Sequence, residues 1–297
     1  MSFAVPEWFL PILLSAAVLG VYDIAKKHAV SGNSVMPVLF LSTASGCAAV
    51  LGFTLCTGSF NAVFALSGIQ LVLIMLKSLL VSASWVCVYY AMRDLPISIA
   101  SPVRASAPLW TFFGSLILYN EIPTLIQGAG MLLIFGGYYA FAVIGKLEGF
   151  TLKHKGMILI FAGTLLGAAS ALYDKFLLNR LGIPFAPLQF HFSLDLTIIL
   201  GTAFLIRKKC FSSGIPFIWK WSIILTGVLL SMADFLYFYA LTVPDVKISL
   251  LSLIRRSGCI VSFSFGAWCF RDKRLKSKAA ALAMILAGVF LLLFKWS

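Results

Sequence analysis

Charged side chains inside long apolar stretches are the residues of this sequence best suited to chemistry. There are six of them: Lys77, Arg104, Asp195, Asp234, Arg255 and Arg256. A charge at the centre of a membrane helix costs roughly 2.5–3.5 kcal/mol on insertion scales, so such a residue tends to face protein or water and to have a partner. Four of the six are basic and two are acidic, which favours an anionic or zwitterionic ligand if they share one cavity.

The three arginines are the strongest candidates for substrate binding. A guanidinium group holds a carboxylate or phosphate through two parallel hydrogen bonds and stays charged when it is desolvated. Arg104 and the pair Arg255 and Arg256 would therefore suit an anionic group. The structural alternative is that one or two of them pair with Asp195 and Asp234 and lock the halves of the chain together.

Three further residues are predicted to contribute to the same substrate site. Lys77 shares a helix face with Ser84, and its alternative is a snorkelling lysine near a helix end. Trp85 and Tyr89 lie one turn apart and are predicted to line the cavity. Packing against other helices is the alternative for both aromatic residues.

Acidic and imidazole groups provide candidates for coupling or counter-charge. His191 lies one turn before Asp195 on the same helix face, and a carboxylate beside an imidazole in a wet cavity can exchange protons. The alternative is an ordinary hydrogen bond between the two. Asp234 is predicted to be either the partner of an arginine or a second proton site.

Two similar dipeptides near helix ends are candidate gates. Tyr22-Asp23 and Tyr173-Asp174 occupy matching places near the ends of the first and sixth predicted helices. Their symmetry predicts gates at opposite faces of the cavity. Anchoring of the tyrosines at the membrane interface is the simpler alternative.

The composition is that of a membrane protein. Hydrophobic residues make up 61% of the chain, charged residues 11%, and the mean hydropathy is +1.01, values that a water-soluble domain does not reach. Each transmembrane helix needs roughly 20 apolar residues. Glycine and proline breakers delimit the predicted helices, which cover about residues 8–27, 35–56, 68–92, 97–119, 123–145, 155–178, 185–206, 219–241, 246–270 and 276–295. The prediction is an all-α integral membrane protein with ten transmembrane helices.

The charge distribution, the cysteines and the absence of a nucleotide motif argue against nucleic acid, metal and ATP as partners. The net charge is +13, but the basic residues lie mostly in short loops, as the topology rule for membrane helices predicts, so no nucleic acid partner is expected. The six cysteines form no CxxC pair and are interpreted as small hydrophobic residues. We expect no metal and no cofactor. A GxxxxGK[ST] motif is absent, so ATP is not expected to drive the protein directly.

The chain repeats itself. Three pairs share an offset of 151 positions: Arg104 with Arg255, Phe112 with Phe263, and Glu121 with Asp272. The predicted repeats are residues 1–148 and 149–297, with five helices each. An odd number of helices gives the repeats opposite orientations in the membrane, which is the inverted-repeat plan of many secondary transporters.

These features resemble the EamA-type branch of the drug/metabolite transporter (DMT) superfamily over essentially the whole chain. The resemblance rests on the two five-helix halves, the Pro96 to Glu121 stretch with its central Pro108, and the Arg255 to Asp272 stretch. It implies a multi-pass carrier of small organic solutes, often an exporter, in the cell (cytoplasmic or inner) membrane. It also implies a cavity lined by helices 1, 3, 4, 6, 8 and 9.

The resemblance extends to one functional position and departs from the family at another. In the more distant sugar-phosphate carriers a basic pair in helix 9 binds the anionic substrate, and Arg255-Arg256 stands in that place. Asp272 lies in a basic cluster where the usual pattern has Gly-Glu before the last helix.

The orientation in the membrane is open. Basic residues are concentrated in the loops after odd-numbered helices, which by the positive-inside rule places both termini outside. The resemblance implies both termini in the cytoplasm.

The sequence therefore predicts a secondary transporter, an exporter or exchanger that moves a small polar metabolite by alternating access, with a proton or a counter-substrate as coupling partner. One alternative is an integral-membrane enzyme that acts on an anionic lipid-linked substrate. The three histidines are scattered and HExxH is absent, so we expect no enzyme. A membrane scaffold without transport is a further alternative, but it would have no use for buried charge.

Overall fold

The computed structural model describes residues 6–58, 60–95, 100, 103–104, 106–146, 155–210, 215–244, 246–258, 260–261 and 275–293. Regular structure in these residues is helical, without a strand, which confirms the predicted all-α class. The helices longer than one turn within these ranges are α1 (Phe9–Val30), α2 (Val35–Cys56), α3 (Gly68–Asp94), α4 (Ala107–Tyr119), α5 (Leu125–Lys146), α6 (Lys155–Lys175), α7 (Phe185–Cys210), α8 (Ser222–Thr242), α9 (Ile248–Arg256) and α10 (Leu275–Leu293). Three predicted features, Phe263, Asp272 and the boundary between residues 148 and 149, lie outside the described residues.

Six of the described helices are long and apolar enough to cross a membrane, namely α1, α2, α3, α6 with its π-helical continuation Phe176–Arg180, α7 and α8. Helices α4 and α5 contain shorter apolar segments. Large apolar side chains lie on the outer surface, for example Ile117, which is 81% exposed, and Leu125, which is 94% exposed. Lipid is the natural neighbour of such a surface, because a soluble monomer rarely exposes large contiguous apolar patches.

The local sequence explains where the helices begin and end. Helix α3 begins with a capping box, in which the Gln70 N–H donates to Ser67 Oγ over 3.3 Å and the Ser67 N–H donates to Gln70 Oε1 over 2.9 Å. It ends at Asp94, and its cap Leu95 is extended, as expected for the residue before a proline. Helix α4 ends at Asn120, whose φ of 52° is left-handed.

The two arginine-bearing segments are interrupted, whereas the sequence predicts continuous helices over 97–119 and 246–270. The Ser106 N–H donates to the Val103 carbonyl over 3.1 Å, and the Leu109 N–H donates to the Ser106 carbonyl over 3.0 Å. These bonds reach back three residues instead of four, and α4 begins only at Ala107. Helix α9 ends at Arg256, and Ser257 and Gly258 form a turn. Proline lacks the N–H that a continuous helix would need at Pro108, and glycine weakens a helix at Gly258. The predictions of unbroken helices were therefore wrong.

Helices of the two halves of the chain interleave. Helix α1 packs on α8 and α9, and α3 and α4 pack on α6. Helix α2 packs on α7, α4 on α9, and α5 on α10. The core of the bundle therefore lies between the two halves.

Helices α2 and α8 cross in direct backbone contact. A Cβ atom on Gly227 would lie 1.9 Å from the Ser42 carbonyl oxygen and 2.2 Å from Ser45 Oγ. A Cβ atom on Gly46 would lie 2.7 Å from Ser231 Oγ and 3.0 Å from the Gly227 carbonyl oxygen. Small residues allow such close packing between membrane helices.

Replacing Gly227 with alanine should destabilise the protein by about 1–3 kcal/mol, the usual cost of overpacking. The matched control is Gly52→Ala in α2, where an added Cβ meets nothing within 4 Å. Thermal unfolding in detergent measures both variants. The close crossing is contradicted if Gly227→Ala unfolds at the same temperature as Gly52→Ala.

Candidate functional site

A cavity of about 120 Å³ lies between helices of both halves. Its wall comes from α1, the Arg104 segment before α4, α3, α6, α8 and α9, together with Phe192 of α7. Apart from α7, these are the helices that the family resemblance implies. Trp85 and Tyr89 are part of the wall, as predicted from their spacing.

Basic residues outnumber acidic ones around this cavity. The described wall contains four cations, Lys77, Arg104, Arg255 and Arg256, and two carboxylates, Asp174 and Asp234. Four charges against two leave a net charge of +2. The sequence also indicated four basic and two acidic residues, but the second acid of the described wall is Asp174 and not Asp195.

Lys77 and Asp174 form an ion pair that joins the two halves. The Lys77 Nζ lies 2.6 Å from Asp174 Oδ1, and the Lys77 side chain is 2% exposed. The same Nζ lies 3.9 Å from the centre of the Phe192 ring and 5.0 Å from that of Phe238, where cation–π attraction adds to the ion pair. Lys77 is thus no snorkelling lysine, and Asp174 faces the cavity.

Arg255 pairs with Asp234 and lies over an aromatic ring. The Arg255 Nη2 donates to Asp234 Oδ1, and its Cζ lies 4.2 Å from the centre of the Tyr237 ring. Its buried Nε has no hydrogen-bond partner in the described part of the chain. Asp234 is therefore an arginine partner, one of the two predicted roles, but both residues belong to the second half, so the pair does not lock the halves together.

Asp23 accepts two cations at the end of the cavity where α1 ends. Arg104 Nη1 lies 2.7 Å from Asp23 Oδ1, and Lys26 Nζ lies 2.6 Å from the same oxygen. Lys26 also lies 4.3 Å from the centre of the Tyr22 ring. Tyr22 is 3% exposed and lines the cavity with Tyr89, so it is no interfacial anchor. Lys26 was not among the predicted site residues, although its spacing of three from Asp23 is that of a helical ion pair.

Arg256 is a cation of the cavity wall for which the described residues offer no hydrogen bond and no acidic partner. The like charges of Arg104 and Arg255 act on Arg256 more strongly than the opposite charge of Asp23 does. A guanidinium group has five N–H donors and cannot lose its charge. This group is therefore available to an anionic ligand.

Four predicted residues are absent from the described wall of the cavity, namely Asp23, whose ion pairs are given above, and three others. Asp195 accepts a hydrogen bond of 3.3 Å from Ser78 Oγ. His191 Nε2 lies 2.9 Å from the Val63 carbonyl oxygen. The Tyr173 hydroxyl donates to the Leu73 carbonyl over 3.2 Å. Their predicted roles in coupling and gating stay predictions.

Glu121 clamps the first half onto the second, a contact that the sequence analysis missed. Its carboxylate accepts hydrogen bonds from the N–H groups of Ile248 (3.0 Å) and Ser249 (3.2 Å) and from Ser249 Oγ (3.0 Å). It also pairs with Lys175, which donates to the Val246 carbonyl over 3.0 Å. The free N–H groups and positive end of α9 suit a carboxylate. The sequence feature that pointed to this contact was the position of Glu121, an acidic residue at the end of the Pro96 to Glu121 stretch.

An all-helical bundle that encloses a charged cavity is the architecture of a membrane transporter. Residues 7–143 match the model of the EamA-like transporter family. This match covers the first half of the chain and supports the resemblance to the EamA-type branch of the DMT superfamily.

Comparison with solved structures supports the fold over the whole length. One crystal structure, described only as "Crystal structure of protein", matches with a TM-score of 0.76 at 15% sequence identity. The match covers 97% of this chain and 98% of the other. At this identity the likeness concerns the fold alone. No curated protein matches the sequence.

The Lys77–Asp174 pair can be tested with a double-mutant cycle. Lys77→Met or Asp174→Asn alone should destabilise the protein by about 3–5 kcal/mol, because each leaves a buried charge without its partner. The double variant should cost less than the two single costs together. Unfolding in detergent gives all four free energies, and strictly additive effects would contradict the pairing.

The Glu121 clamp predicts a loss of stability in acid. Burial raises the pKa of Glu121, but the hydrogen bonds from Lys175 and from the α9 N–H groups outweigh it, so its pKa lies below the usual value. A carboxyl group with a lowered folded-state pKa contributes stability above its unfolded pKa of about 4.3 and loses it as the pH falls through the folded value. Glu121→Gln should be less stable at neutral pH and should show a flatter acid limb in thermal unfolding. An acid limb identical to that of the parent would contradict the clamp.

Proposed function

We propose that the protein is a secondary carrier that moves a small anionic or zwitterionic metabolite by alternating access, as an exporter or exchanger in the cell membrane. The observation that carries the proposal is the Arg256 guanidinium, which has no acidic partner within the described residues, in a cavity whose described wall carries a net charge of +2. The substrate replaces the counter-charge that the wall lacks. The lipid bilayer and the small-molecule substrate are its partners.

The proposed architecture is ten transmembrane helices in two inverted repeats, residues 1–148 and 149–297. If each helix of α1–α5 is exchanged with its counterpart in α6–α10, the α1–α8 contact becomes α6–α3 and the α1–α9 contact becomes α6–α4. All four of these contacts are present in the structure. The contacts α2–α7, α4–α9 and α5–α10 convert into themselves. A hydrogen bond joins each of two exchanged helix pairs, because Ser15 of α1 donates to the Ala233 carbonyl of α8 and Ser84 of α3 donates to the Gly163 carbonyl of α6, each over 2.7 Å.

The breaks in the arginine helices also fit this proposal. The turn at Ser106 follows Arg104, and the turn at Ser257 follows Arg255 and Arg256 at the equivalent position. Transporters typically build their binding sites from discontinuous helices at the midplane of the membrane. The interruption brings backbone polar groups to the place where the guanidinium groups meet the cavity.

The cavity wall suits a substrate with an anionic group and an apolar body. Arg256 provides donors for a carboxylate or phosphate, and so does the buried Nε of Arg255, for which the described residues offer no hydrogen-bond partner. Trp85, Phe192 and Phe238 provide apolar surface in the same wall. When an anion binds Arg255, it competes with Asp234, and the released carboxylate is then free to take a proton.

Ion pairs at opposite ends of the cavity are the proposed gates. The Asp23–Arg104 pair lies where α1 ends, and the Glu121–Lys175 clamp lies where α6 ends. Tyr22 and Asp23 thus belong to one gate. At the other end the clamp takes the place expected for Tyr173, and Asp174 faces the substrate. A proton or a counter-substrate drives the exchange between the two states, and either orientation of the termini is compatible with this mechanism.

Replacing Arg256 with glutamine tests the function. Purified protein is screened by thermal unfolding against amino acids, sugar phosphates, nucleotides and carboxylates, since a ligand that binds the folded state stabilises it. We expect one anionic or zwitterionic class to stabilise the parent. Its affinity should fall roughly 10- to 100-fold in Arg256→Gln, the loss of one charged hydrogen-bonding group.

The control is Arg180→Gln, an exposed arginine outside the cavity wall, which should bind as the parent does. Flux of the same compound into proteoliposomes, recovered chemically unchanged, separates a carrier from an enzyme. Stabilisation by neutral or cationic compounds alone, or an equal response of Arg256→Gln, would overturn the assignment of the arginine site.

A further inference from the structure

A groove outside the central cavity lies between α2 and α7, at the end of the bundle where α2 begins and α7 ends. Its volume is about 510 Å³. The apolar part of its wall consists of Met36, Pro37, Phe40, Leu41, Phe204, Ile215 and Phe217. Arg207 and Lys208 are the charged residues of the described wall, and this part of the wall contains no carboxylate.

Aromatic residues indicate the depth of this groove in the membrane. Phe217, Trp219 and Trp221 are 41%, 49% and 77% exposed in the segment between α7 and α8. Tryptophan is enriched at the level of lipid headgroups. Phe40 and Phe204 stack with ring centres 5.8 Å apart, and Phe40 lies five residues into α2, about 7 Å deeper along the helix axis. The groove thus runs from headgroup level into the apolar layer.

The Arg207 guanidinium is held in place but not neutralised. Its Cζ lies 5.2 Å from the centre of the Tyr90 ring, and the Cζ of Arg93 lies 5.3 Å from the same ring. Arg93 has an acidic partner, Asp94, at 2.6 Å. Within the described residues Arg207 and Lys208 have none, so two positive charges remain at the mouth of the groove.

We propose that this groove binds an anionic phospholipid. The lipid phosphate binds Arg207 and Lys208, and an acyl chain lies along Phe40 and Phe204. Basic pockets between transmembrane helices favour anionic headgroups, and the planar guanidinium suits a phosphate. A soluble anion would leave the apolar wall uncovered, and the cationic headgroup of a zwitterionic lipid would offset the attraction at the mouth.

The test compares two double variants with two removed charges each. Arg207→Gln/Lys208→Gln removes both cations of the groove. The control Arg180→Gln/Lys155→Gln removes two exposed cations elsewhere, and its Arg180 also lies on a tyrosine ring, 5.7 Å from the centre of Tyr119. Purified protein in neutral detergent is titrated with dioleoylphosphatidylglycerol, dioleoylphosphatidylcholine or inorganic phosphate, and lipid binding is measured by native mass spectrometry and thermal unfolding.

We expect phosphatidylglycerol to bind the parent and the control and to bind the groove variant roughly 30-fold more weakly, as expected for two basic residues near an anionic lipid surface. Equal binding of phosphatidylcholine, equal stabilisation by inorganic phosphate, or an equal loss in the control would overturn the lipid site. The groove variant should unfold at the temperature of the control without added lipid. Arg256→Gln should retain lipid binding, so the outcome does not depend on the transport proposal.

Discussion

Charge buried in a hydrocarbon environment must be paired, and most of this structure follows from that constraint. Lys77 with Asp174, Arg104 with Asp23, and Arg255 with Asp234 satisfy it from within the protein. The first of these pairs connects the two halves, and the other two fix the arginine segments against neighbouring helices. Arg256 is a cation of the cavity wall that the described residues leave without a counter-charge, and the proposed anionic substrate would provide one.

The sequence predicted well what depends on local composition. Long apolar runs bounded by glycine and proline place α1, α2 and α3 within a few residues of their structural bounds, because a membrane helix is defined by length and hydropathy. The charged residues of the cavity were visible for the same reason, since a cation such as Lys77 stands out in an apolar run. Trp85 and Tyr89, one turn apart on α3, both lie in the cavity wall, and their role in substrate binding stays a prediction.

The choice of partners could not be predicted from the sequence, because it depends on helix packing. The sequence analysis assigned no acidic partner to Lys77, and the contact between α3 and α6 provides Asp174. Lys26 was not predicted as a site residue, yet it pairs with Asp23 within α1. Glu121 was recognised as part of a repeated pattern, but its use required the start of α9 to lie within hydrogen-bond distance.

The close glycine crossings have a mechanical consequence. At Gly227 the backbones of α2 and α8 touch, and at Gly258 an added Cβ would lie 2.0 Å from the Ala16 carbonyl oxygen of α1. Because glycine has no side chain, nothing interlocks the two helices at these points. The helices can therefore rotate about such a contact while side chains elsewhere change their packing partners. Both contacts join an element of the first half to one of the second. In the proposed alternating access these contacts would act as pivots between the halves, and an added side chain at either glycine would hinder that motion.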